Sequence, residues 1–141
     1  MNIKMKLFDS MYMPVMAHGG DACYDCKARC DNPISIKSHS RCLVNLGFCL
    51  GLETYTEAVI RPRSGLSKRG IDVAIGTIDS GYTGEVKANI INNSDEDFIV
   101  NNGDRICQIA IRKYESVLIE KVDLLESTER GDDGFGSSGI N

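Results

Sequence analysis

The chain is short of positive charge. Its 141 residues carry 16 Lys and Arg against 20 Asp and Glu, a formal net charge of -4, and the cations are scattered rather than gathered into a stripe. That pattern excludes a binder of long nucleic acid but leaves room for a small anion held by a local group of arginines. Long hydrophobic runs are missing too, and no stretch approaches the length of a membrane span. The opening MNIKMKLFDSMYMPVMAHGG is broken by Lys4, Lys6 and Asp9 before a signal-peptide core could form. A soluble, cytoplasmic protein is expected. No second C-x-x-C accompanies DACYDC, whose Cys23 and Cys26 point to opposite faces if the segment is extended. The six cysteines therefore read as buried or half-exposed free thiols rather than a zinc site or disulfides.

What is present has the periodicity of strands. Ile3, Met5 and Leu7 alternate with polar neighbours, and ISIKS, RCLVNLGFCLGL, TYTEAVIRP, GIDVAIGTI, EVKANIINN, DFIVNN, RICQIAIRKY and SVLIEKV follow at short intervals. Gly, Asn, Asp and Ser separate them. An all-β sandwich or barrel is predicted, with one helical turn in SGLSKRG, capped by Ser64 and closed by Gly70. A single β domain is expected over residues 1–125. Residues 126–141, ESTERGDDGFGSSGIN, read as a flexible C-terminal tail that cannot bury enough apolar surface to order by itself. Arg130 and Phe135 nevertheless put a cation and an aromatic face into that tail, which suits a flap closing over something anionic and flat.

Three further clusters have chemical meaning. In RPRSGLSKRG, Arg63 offers a forked cation, Ser64 a hydroxyl and Gly65 close backbone approach, a set able to hold phosphate oxygens. Taken alone, a capped turn with surface arginines explains the same letters better. In GTIDSGYTGEVKANII, the turn DSGYTG reads as a hairpin loop or a bulged turn. Asp79 there is either a plain turn residue or a framework-held carboxylate, and Tyr82 is rigid enough to pack on a sugar ring. In NNGDRICQIAIR, Gln108 shares a strand face with Ile106 and Ala110, so its amide needs either backbone partners or a ligand.

In this order, DACYDC, RPRSGLSKRGI, GTIDSGYTGE, GDRICQ and RGDDGFGSSG resemble the five motifs of the trimeric dUTP pyrophosphatases, the dUTPases, from about residue 20 to the end. The resemblance implies a β-jelly-roll subunit, a homotrimer with active sites at subunit contacts, and Mg²⁺-dependent hydrolysis of dUTP to dUMP and pyrophosphate. No protein metal ligand is implied, since the ion is held mainly by substrate phosphates and water. Carried across, Asp79 orients and deprotonates the attacking water. Arg63, Ser64, Gly65 and Gln108 hold phosphates, Tyr82 packs on the deoxyribose, and the backbone around Gly76, Thr77 and Ile78, with Lys87 opposite, lines the sugar and uracil pocket. The tail closes from a neighbouring subunit, with Arg130 at the γ-phosphate and Phe135, Gly136 and Ser137 over the base. Asp25 supports the site through water or the arginine network. Cys23 departs from the family's glycine, and Asp132 and Asp133 stand where small residues are expected. A dCTP deaminase using Glu85 as proton shuttle is the rival enzyme, and a nucleotide-switched regulatory protein with a protein partner is the rival from another class.

Overall fold

Alternating apolar residues drive ten strands among residues 2–132, which the computed structural model describes. They are β1 (Lys4–Leu7), β2 (Tyr24–Lys27), β3 (Ile34–Ile36), β4 (Ser40–Gly51), β5 (Thr56–Arg61), β6 (Ile71–Val73), β7 (Gly76–Ile78), β8 (Glu85–Asn92), β9 (Phe98–Val100) and β10 (Arg105–Lys113). One helical turn, α1 (Ser64–Ser67), and a 3-10 turn at Ser10–Tyr12 interrupt them. The pairings form one sheet in the order β1-β4-β8-β6, a second in the order β2-β10-β5-β7, and a small β3-β9 ribbon. All are antiparallel. The all-β, jelly-roll-like expectation holds. Val44, Leu46, Phe48, Val86, Ala88 and Ile90 from the first sheet meet Ala58, Ile60 and Ile109 from the second in one buried core. Each larger side chain in it contributes roughly 1.5–3 kcal/mol by leaving water.

Four sequence expectations are corrected. GIDVAIGTI is two strands rather than one, because the chain changes sheets at Ala74–Ile75: β6 pairs with β8 and β7 with β5. The following turn, Asp79–Gly84, therefore arches from one sheet to the other instead of closing a two-stranded hairpin. The cap of α1 is Arg63, in extended conformation, and Ser64 is already inside the turn. SVLIEKV is no strand among the described residues. It has the right composition, but no described residue pairs with it, and Val117, Leu118 and Ile119 are 74%, 102% and 94% exposed.

Candidate functional site

The first group of site residues is organised by a carboxylate. Register places Gln108 on β10 opposite Asp25 on β2 and also opposite Arg61 on β5. Two residues beyond Arg61 the chain reaches Arg63. Asp25 is only 7% exposed, so its charge must be met within the protein. Arg63 donates Nε to Oδ1 at 3.1 Å and Nη2 to Oδ2 at 3.3 Å. Arg105 donates Nη1 to Oδ2 at 3.2 Å and Gln108 donates Nε2 to Oδ1 at 3.1 Å. Arg63 also reaches the Arg105 carbonyl at 2.8 Å. Within the chain, Gln108 thus meets a side-chain carboxylate rather than backbone groups. A bulge between Arg105 and Cys107 upsets the simple alternation and lets Ile106 and Cys107 both stay buried. Ser64 and Gly65 follow, exposed at the start of α1, and the space where a Cβ of Gly65 would stand is open to 4 Å.

Asp25→Ala releases all three donors. Arg105, 58% exposed, can turn to water, which keeps the cost near about 1–3 kcal/mol rather than the larger penalty of stranding a buried charge. Urea denaturation of the two proteins measures it, with the loss read as a lower midpoint at unchanged slope.

The second group surrounds the arch. Thr77, Ile78, Asp79, Tyr82 and Lys87, with Leu43 of β4, line a cleft of about 310 Å³. Asp79 is exposed. Its carbonyl accepts the Tyr82 N–H at 3.1 Å, and Gly81 supplies the positive φ of 99° that this turn requires. The Tyr82 hydroxyl donates to the Glu85 carbonyl at 3.0 Å. A Cβ on Gly84 would come within 2.5 Å of that hydroxyl, so only glycine lets the ring lie there.

Glu85 does not act as a shuttle here. Arg29 grips its carboxylate with Nε at 2.7 Å and Nη2 at 2.8 Å, and Gly47 N–H adds a third bond at 3.0 Å. The guanidinium holds the carboxyl below the usual carboxylate range, whereas a proton shuttle needs a group that exchanges near working pH. Sequence reasoning singled out neither Arg29 nor Leu43 as a site residue. Arg29 lies 56 residues from Glu85 with no short-range signal. Arg105 was visible in GDRICQ, but only the Asp25 contact gives it a task. Arg130 is in an exposed turn, while Phe135, Gly136 and Ser137 lie outside the described residues.

The two groups occupy opposite ends of β5. Ile78 pairs with Ala58, so Asp79 stands beside the start of the strand, whereas Arg63 and Gln108 are at its far end. At a strand rise of about 3.3 Å per residue, the backbones of Asp79 and Arg63 are roughly 20 Å apart along it.

The family model described as dUTPase matches residues 9–139. A deoxyuridine 5'-triphosphate nucleotidohydrolase of Finegoldia magna is 38% identical over 142 residues, covering 97% of this chain and 99% of that protein. One from Rickettsia canadensis is 46% identical over 131 residues, covering 91% and 88%. A mutant dUTPase of Staphylococcus bacteriophage 80alpha, solved with dUpNHpp, superposes with a TM-score of 0.85 at 24% identity, covering 99% of both chains. A mutant dUTPase from phage phi11 of S. aureus, whose structure details the coordination of a structural Mg(II) ion, gives a TM-score of 0.79 at 19% identity, covering 89% of this chain and 99% of that one.

Proposed function

The chain belongs to the dUTPase family, and from that membership we propose that it hydrolyses dUTP to dUMP and pyrophosphate by water attack on the α-phosphorus. The observation that carries the reading is the pairing of an exposed carboxylate and an aromatic ring in one cleft with a carboxylate-ordered arginine and glutamine cluster elsewhere on the same chain. Asp79 takes the proton of the attacking water. Tyr82 packs on the deoxyribose, and the backbone of Gly76, Thr77 and Ile78 with Lys87 lines the nucleoside pocket. Arg63, Ser64, Gly65 and Gln108 hold the phosphates, with Asp25 keeping Arg63 and Gln108 in place. Arg130 and Phe135, with Gly136 and Ser137, close over the γ-phosphate and the base.

Charge neutralisation and positioning carry most of the acceleration in such a reaction, because the triphosphate repels a nucleophile and little covalent work remains. Base and phosphate holders must meet within a few ångströms of one phosphorus. Positions at opposite ends of β5 favour a site shared between copies, one giving Asp79 and the next Arg63 and Gln108. The exposed apolar Val117, Leu118 and Ile119 support the same homotrimeric association, since such surface is costly to leave in water.

Magnesium fits this donor set as a substrate-borne ion. Among the described residues no three His, Cys, Asp or Glu side chains cluster as a cage, and Asp25 is engaged by its three donors. Mg²⁺ prefers phosphate oxygens and water, and when bound it neutralises charge on the triphosphate.

A substrate panel tests the reading. Pyrophosphate release with Mg²⁺ is expected to be far faster from dUTP than from dTTP, dCTP or UTP. A backbone wall near C5 excludes the thymine methyl sterically, where a merely greasy pocket would give only about 1–3 kcal/mol. Cytosine presents an N4 donor in place of the O4 acceptor, leaving pocket donors unpaired. Ammonia release from dCTP would overturn the assignment.

A further inference from the structure

We propose that Arg29 and Glu85 are positioning residues whose ion pair fixes the Tyr82 ring and thereby sets how well the site separates deoxyribose from ribose. The inference rests on the dUTP reading above. Glu85 has two ends, and both are engaged. Its carboxylate takes the bidentate Arg29 fork at 2.7 and 2.8 Å and the Gly47 N–H at 3.0 Å. Its carbonyl accepts the Tyr82 hydroxyl at 3.0 Å. A displacement of Glu85 is therefore passed directly to the tyrosine.

The clamp is itself braced. The Arg29 N–H donates to the Asn45 carbonyl at 2.7 Å, and Phe8 N–H donates to the Gly47 carbonyl at 2.9 Å. The guanidinium lies 4.6 Å from the Phe8 ring centroid, so fork and ring stack as a cation on an aromatic face. The side chains of Arg29 and Glu85 are 29% and 13% exposed, which limits competition from water. Tyr82 is 47% exposed, so its placement depends on its hydroxyl bond and on the missing side chain of Gly84. Planar two-point recognition gives the pair a defined orientation that a single-point cation would not.

The test compares kcat/KM for dUTP and UTP. In Arg29→Ala the dUTP-to-UTP ratio is expected to fall at least about tenfold, since a displacement near 1 Å can cost on the order of a hundredfold. Arg29→Lys, which keeps charge without the fork, should fall between. Tyr82→Phe should lower the ratio similarly, and adding Arg29→Ala to it should lower the ratio no further, because the two changes break one chain of contacts. A proportional loss on both substrates, leaving the ratio unchanged, overturns the proposal, as does a double variant whose ratio losses multiply. Should Arg29→Ala fail to fold, the near-isosteric Glu85→Gln decides: a reduced ratio supports the clamp and an unchanged one overturns it. A wild type inactive on dUTP overturns the activity reading together with the clamp, whereas an active wild type with unaltered variant ratios overturns the clamp alone.

Discussion

Asp79→Asn is expected to bind nucleotide and scarcely turn it over. Asparagine keeps the size of the side chain, and the backbone bond from Tyr82 N–H to the residue-79 carbonyl does not depend on the carboxylate. The arch and its cleft should therefore persist. What disappears is the only carboxylate among the described residues that line the cleft. General-base help is worth about 10²–10⁴ in rate, and kcat should drop by at least that much because Asn cannot accept the proton at all. Steady-state pyrophosphate release gives kcat, and equilibrium titration with a non-hydrolysable dUTP analogue gives affinity. Full activity refutes the base assignment. Lost affinity alongside lost turnover would place Asp79 in binding instead.

The second large effect is a rescue. Asp79→Asn and Arg63→Ala should each be inactive as homo-oligomers, the first lacking its base and the second a phosphate cation. Denatured together at equal amounts and refolded, they should recover activity, because a site drawing Asp79 from one copy and Arg63 from the next is intact in some mixed assemblies. With random mixing in a closed ring, about a quarter of the sites combine an intact half from each parent. A specific activity near a quarter of wild type is the expected reading. Activity no higher than the mean of the parents shows that both residues serve a site within one chain. Since each Asp25 keeps Arg105 and Gln108 after Arg63 is lost, the cluster should tolerate the substitution well enough to assemble.

The strands were legible because burial on one face leaves a period of two, and stretches such as Val44-Asn45-Leu46 and Val86-Lys87-Ala88 show it without ambiguity. Which sheet a strand joins was not legible. GIDVAIGTI has one composition throughout, and nothing local says that its first half pairs with β8 and its second with β5. Strand propensity alone also misread SVLIEKV, since extended residues need a ladder, and the described residues offer them none. The motifs supplied site candidates by residue type, but their grouping depends on long-range register. Asp25 meets Gln108 across 83 residues. A sequence pattern can suggest that both bear on phosphate, yet only the β2–β10 pairing makes the carboxylate the organiser of Arg63, Arg105 and Gln108.

The arch that begins at Asp79 and carries the chain from the second sheet back to the first has a mechanical consequence. A group mounted on a bridge between two layers is sensitive to their alignment, and it goes out of aim when one layer slips over the other even though each layer remains whole. Damage to the interior of this protein should therefore surface as failed chemistry well before it surfaces as failed folding.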